Sequence, residues 1–195
     1  FINISFLNWL SNKYSFEAIG LISFIFSFAG IPAALVSQGF DQLILMHITS
    51  QKNTLSEIAS LTISSRIVLT IPIIFITSFL FNLTTNNIFA CLLISTEILK
   101  NIVPNELIDQ MKITYIVTLA SFLEKLALFI LVKYLLVNLN FNGILASYAL
   151  IQIIYTVSLL IIFKRKLTNL KLQFNISRLK FEIFNSFKSI PNILS

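Results

Sequence analysis

The chain has 195 residues, of which 56% are hydrophobic and only 11% charged, at a mean hydropathy of +0.89. Soluble domains carry about a quarter charged residues, so a single water-soluble core is excluded. The net charge of +6 raises nucleic acid as a partner, but the excess lies in one segment with no aromatic-basic module around it, which points to membrane topology and to no nucleic acid.

With four Gly and four Pro, and apolar runs too long for strands, the fold class is all-α: a polytopic transmembrane bundle of about six helices. Phe1 to Leu10 is about half of a 20-residue span and reads as a truncated first helix. It lacks the basic flank and small-residue cleavage site of a signal peptide. Ala18 to Val36 forms the second helix, with Gly20, Ser23, Ser27, Gly30 and Ala34 on one face. Small residues let helices approach closely in lipid, so that stripe is expected to pack against a neighbour. Pro32, like Pro72 later, removes a backbone donor and favours a bend. The following loop carries Asp41 and the lone His47; no second His or Cys stands at metal-ligand spacing, so no metal is expected.

Ile63 to Leu83 is the third helix, with Arg66, Thr70 and Thr77 on one side. Ile88 to Val103 is shorter and holds Glu97 and Lys100. It spans if the helix continues toward Glu106 or if its charges face protein, and Glu97 and Lys100 are close enough to neutralise each other. Cys91 is the only cysteine, which excludes an internal disulfide. The fifth helix, Ile113 to Val137, places Thr114, Thr118, Ser121 and Lys125 on one line. A lysine at mid-membrane depth costs about 2.5 to 3.5 kcal/mol on insertion scales, so Lys125 is expected to meet water, a carboxylate or an anionic ligand. Glu124 is about 100° away around the helix and is a poor partner for it. Phe141 to Phe163 is the sixth helix, with Tyr148, Gln152 and Tyr155 aligned. The stripes on the third, fifth and sixth helices answer either to interhelical hydrogen bonding with snorkelling charges or to a hydrated cavity.

After this bundle (1–163) comes a basic linker (164–189) in which Lys164, Arg165, Lys166, Lys171, Arg178, Lys180 and Lys188 are opposed by Glu182 alone. That local excess equals the net charge of the whole chain. By the positive-inside rule the loops after the second, fourth and sixth helices are cytoplasmic. Leu179, Ile183, Phe187 and Ile190 recur at helical spacing while Arg178, Glu182, Asn185 and Ser189 point elsewhere, the pattern of an amphipathic helix at the membrane surface or of a plain linker helix. Residues 190–195, opening Ile190-Pro191, look like the start of another span, and both chain ends read as cut. No phosphate-cradling loop, serine elbow or exposed carboxylate pair is present, so no enzyme activity and no cofactor are expected.

Four stretches in order resemble the front half of Wzx-like polysaccharide flippases of the multidrug/oligosaccharidyl-lipid/polysaccharide exporter superfamily. Leu10-Ser11-Asn12-Lys13-Tyr14-Ser15-Phe16-Glu17-Ala18-Ile19-Gly20 is similar to the link between that family's first two helices. Ser37-Gln38-Gly39-Phe40-Asp41-Gln42 resembles the glycine-containing turn after its second helix. Gly143-Ile144-Leu145-Ala146-Ser147 is like the opening of its sixth, and Ser186-Phe187-Lys188-Ser189-Ile190-Pro191 looks like the cytoplasmic linker into its seventh.

The resemblance implies the N-terminal lobe of a two-lobed transporter in the bacterial inner membrane, partnered by the lipid bilayer and by a C-terminal lobe of the same protein. Its implied cargo is oligosaccharide on a polyprenyl diphosphate. Arg66 and Lys125 are then the candidate cavity cations, with Thr118, Ser121 and Gln152 as further cavity candidates, because an anionic headgroup crossing a low-dielectric barrier needs compensating charge. An ion-coupled drug exporter of the same superfamily is the alternative, with Asp41, Glu97 or Glu124 binding the ion. A membrane enzyme of glycan assembly and a helical scaffold without a transport cycle are the readings from other classes.

Overall fold

The computed structural model describes residues 12–13, 16–50, 54–131, 140–167 and 180–185. Among them no strand occurs, and the elements are α1 (Phe16–Ser50), α2 (Leu55–Thr85), α3 (Ile88–Leu99), a 3-10 turn (Lys100–Ile102), α4 (Asn105–Gln110), α5 (Thr114–Ile130) and α6 (Phe141–Lys166). A further helical stretch covers 180–185. Four segments are long and apolar enough to cross a membrane: Ile19–Ser37, Leu55–Thr85, Ile88–Gln110 and Phe141–Lys166. The expected first helix at 1–10, the fifth segment beyond residue 131, most of the basic linker and the start of a span at 190–195 lie outside the described residues.

Local chemistry fixes the helix ends. Thr54 and Glu57 form a reciprocal capping box at the start of α2, with Glu57 N donating to Thr54 Oγ1 at 3.3 Å and Thr54 N donating to the Glu57 carboxylate at 3.1 Å. Asn86 ends α2 in the left-handed region at φ 48°, a conformation asparagine tolerates better than most residues. Asn87 then caps α3, accepting from Phe89 N and Ala90 N at 3.0 and 3.2 Å. Its amide donates to Asn142 Oδ1 at 3.1 Å, tying the starts of α3 and α6 together. At the other end of α3, Pro104 forces Val103 into extended backbone (φ −83°, ψ 118°), because a residue before proline is barred from the α region. The fourth segment therefore continues past Val103 as a broken helix, and Glu97 and Lys100 both face protein.

Two expectations are corrected, and a third, the packing of the small-residue stripe, finds no partner among the described residues. Ser37 to Gln42 is no turn: α1 runs through it to Ser50, so His47 also sits on a helix and not in a loop. Val36, Phe40 and Ile44, spaced by four, are all buried, and that packing outweighs the roughly 1 kcal/mol helix penalty of Gly39. The small-residue stripe of α1 does not pack against the described helices. Gly20, Ser23, Ser27 and Gly30 are exposed, and a methyl group added at Gly20 or Gly30 would meet nothing within 4 Å. The opposite face, with Ile22, Ile25 and Ala29, carries the burial. Finally, Glu182 points inward, where His47 Nε2 stands 3.4 Å from its carboxylate; this partner lies on α1, which the local periodicity of 178–190 does not contain.

The helices alternate in direction, so the ends of α1, α3 and α6 and the starts of α2 and α5 gather at one end, which the basic residues Lys164, Arg165 and Lys166 mark. α3 is the central helix and packs against α1, α2 and α6. Apolar side chains form two separate cores. One, far from the basic end, joins Ile25, Val36, Phe81, Leu93, Ile98, Leu128, Ile144 and Ile151. The other, at the basic end, joins Ile44, Ile58, Ile63, Ile102, Leu107, Ile113, Leu159 and Phe163. Between them lies a layer of polar groups.

Candidate functional site

Each long helix passes from one core to the other and contributes its polar residues in between: Ser37 and Asp41 from α1, Arg66 and Thr70 from α2, and Thr96 and Glu97 from α3. Lys100 and Asn101 come from the 3-10 turn, Ser121, Glu124 and Lys125 from α5, and Gln152 and Tyr155 from α6. Arg66, Lys125 and Tyr155 are each eleven residues from the basic end of their helix and Asp41 is nine. At about 1.5 Å per residue all four stand roughly 14 to 16 Å inside that end. Polar groups at one depth on neighbouring helices can satisfy one another, which is how buried polar atoms avoid their desolvation penalty.

Most of them do so, in two clusters, while Arg66 Nε and Thr70 Oγ1 are buried without a hydrogen-bond partner among the described residues. Arg66, only 1% exposed, pairs with Asp41, donates from Nη1 to Asn101 O at 2.9 Å and from Nη2 to Ser37 O at 3.2 Å. Its guanidinium carbon stands 5.9 Å from the centre of the Phe40 ring. One side chain on α2 thus binds α1 and the end of α3, where the broken helix frees the Asn101 carbonyl. Glu106 is within electrostatic reach of Asp41 and Arg66, and its Oε2 is buried without a hydrogen-bond partner.

The second cluster centres on Lys100, whose Nζ is 2.9 Å from Glu124 Oε1 and 3.5 Å from Glu97 Oε1 and 5.9 Å from the centre of the Tyr155 ring. Glu97 also accepts from Gln152 Nε2, and Gln152 Oε1 accepts from Thr96 Oγ1 at 2.5 Å. Lys100 therefore bridges α3 to α5, and Gln152 bridges α3 to α6.

A cavity of about 260 Å³ opens in this layer, with Asp41, Arg66, Lys100, Glu124 and Lys125 on its wall and Ser37, Ser121 and Tyr155 beside them. Beside it runs an open groove of about 400 Å³ between α5 and α6 that shares Ser121, Lys125 and Tyr155 and adds Thr118 and Phe122. Among the described residues Lys125 forms no ion pair, and Glu124 beside it is turned to Lys100. Lys125 stands exposed where the cavity meets the groove.

The sequence candidates thus separate. Arg66, Ser121, Lys125, Asp41 and Glu124 are brought together on the cavity wall. Thr118 lines only the groove, its hydroxyl bonded to Thr114 O at 2.9 Å. Gln152 and Glu97 stand behind the wall as a hydrogen-bonded pair. Lys100, Asn101, Tyr155 and Glu106 join the site without having been candidates for it. Lys100 and Tyr155 were visible as polar residues within apolar runs, whereas Asn101 contributes only its backbone carbonyl, which no side-chain pattern announces. Among the described residues no group of three or more His, Cys, Asp or Glu could hold a metal. No protein-family model, curated protein or solved structure matches the chain.

Proposed function

We propose that this helical bundle is one lobe of a membrane flippase that carries a lipid-linked oligosaccharide, bound through its diphosphate, across a bacterial cytoplasmic membrane by alternating access. One observation carries the reading: a charged cavity lies between two apolar cores, with the unpaired Lys125 where it borders the groove. An ammonium at that depth is costly unless something compensates it, and the carboxylates within reach are engaged elsewhere, Asp41 by Arg66 and Glu124 by Lys100. A phosphate oxygen arriving along the α5–α6 groove supplies the compensation, with Ser121 as a neighbouring donor. Arg66 is committed to three protein partners and serves the cavity by holding it open. The positive-inside reading of the basic linker supports a cavity in the cytoplasmic half of the bilayer.

The test is complementation in a strain lacking the gene. Lys125→Gln is expected to lower surface glycan at least tenfold at equal protein level and Lys125→Arg to keep most of it; normal glycan with Lys125→Gln rejects the proposal. A second reading, an ion-coupled exporter of the same superfamily, is favoured by Glu106. With it the polar layer, among the described residues, holds four carboxylates, Asp41, Glu97, Glu106 and Glu124, against the three cations Arg66, Lys100 and Lys125, an excess of one negative charge that a bound proton or small cation offsets. Drug resistance that depends on those four carboxylates and not on Lys125 selects this second reading.

A further inference from the structure

The segment after α6 contains one acidic residue, and the fold removes it from the outer surface. Glu182 is 6% exposed and sits 3.4 Å from His47 Nε2 near the end of α1. Its helical neighbours face outward: Lys180 is exposed, and Phe181 and Phe184 are 63% and 58% exposed. Lys164, Arg165 and Lys166 are exposed as well. They stand at the same level of the molecule, since Ile44, one turn before His47, packs in the same core as Phe163, the residue before Lys164. The charge and the apolar surface of this region are therefore sorted: carboxylate inward, cations and aromatic rings outward.

From this sorting we infer that the face formed by Lys180, Phe181, Phe184 and the Lys164-Arg165-Lys166 end of α6 is a docking surface for anionic lipid headgroups, held in orientation by the His47–Glu182 contact. Phenylalanine rings enter the headgroup–acyl boundary, and lysines beside them meet lipid phosphates. The level matches, because α6 leaves its apolar stretch at Phe163 and the cations follow at once. A neutral bilayer offers the rings a place but gives the four cations no counter-charge, so the surface discriminates by lipid charge.

The experiment uses the full chain in nanodiscs, with Trp9→Phe removing the native tryptophan and Phe184→Trp placing a reporter on the face. Quenching by acyl-brominated lipid reports insertion, and quenching by iodide reports exposure to water. Phosphatidylglycerol nanodiscs are expected to show the reporter quenched by lipid, with the inserted fraction falling in phosphatidylcholine and the inserted-to-exposed ratio dropping about fivefold on Lys180→Ala, as expected for one basic residue near an anionic surface. Glu182→Ala is expected to reduce insertion while leaving the outward charges in place. Equal insertion in charged and neutral lipid overturns the inference in favour of a purely apolar wedge. A reporter shielded from both quenchers overturns it in favour of cover by protein.

Discussion

Arg66 and Lys125 are both cations in apolar helices, yet their surroundings give them different work. Arg66 replaces its hydration shell with Asp41 and two backbone carbonyls on two other helices. Removing one partner of a buried pair leaves the other charge uncompensated, which costs about 3 to 5 kcal/mol where burial is complete. Arg66→Ala is therefore expected to destabilise the bundle by about 3 kcal/mol, since Asp41 keeps 27% exposure, seen as a lower melting temperature in detergent. Lys125→Gln, which breaks no described bond, should leave the melting temperature unchanged. Equal stability losses for the two variants would contradict this division. Gln152 is a third case: its amide satisfies Glu97 and Thr96 at once, so Gln152→Leu is expected to cost about 1 to 3 kcal/mol by leaving buried polar atoms unpaired.

At the scale of elements, α3 organises the bundle although it is the least regular of the long segments. Its start is bonded to α6 through Asn87 and Asn142, its middle to α2 through the 3.0 Å contact of Ser78 and Ser95, and its end to α2 through Arg66. In lipid, apolar burial gives little drive for helix association, and such hydrogen bonds average about 0.6 kcal/mol each. Asn87 acts twice, as a helix cap and as a tie. Asn87→Ala is expected to destabilise by about 1 to 2 kcal/mol, while Asn87→Asp, which keeps the cap and loses the amide donor, recovers the larger part; thermal unfolding of the three proteins side by side measures it. Gly30 is the contrasting position, where an added methyl finds open space. Gly30→Ala should be neutral or stabilise by up to about 1 kcal/mol through helix propensity, and a loss of stability would reveal a neighbour seated on that face.

For the whole molecule, the separation of two apolar cores by a polar layer predicts where water reaches. With the buried Cys91 replaced by serine, a cysteine at position 125 is expected to react with a charged, membrane-impermeant thiol reagent. Cysteines at Phe75 or Ile76, exposed on the apolar outside of α2, should stay unreactive in a bilayer because they face lipid. Labelling at all three positions to the same extent would mean that the layer holds no aqueous cavity.

How much of this was legible in the sequence follows from which forces act locally. Helix existence and approximate span were written in the length of the apolar runs, since a backbone in lipid must bond to itself within each segment. The break after the fourth segment has its cause in Pro104, while the depth of Lys125 was legible in its count from the start of the helix. The extension of α1 through Gly39 was not, because a glycine reads as a turn until the burial of Phe40 and Ile44 is known. Nor was the inward turn of Glu182, whose reason is a histidine 135 positions earlier.

The sequence by itself determined an all-helical chain of membrane-crossing length with its basic end, because hydropathy and charge act on each segment independently. Only the tertiary structure decided which polar residues share a cavity. Arg66 was drawn into the packing and Lys125 was left at the opening because pairing depends on which helix arrives beside which, and at what depth.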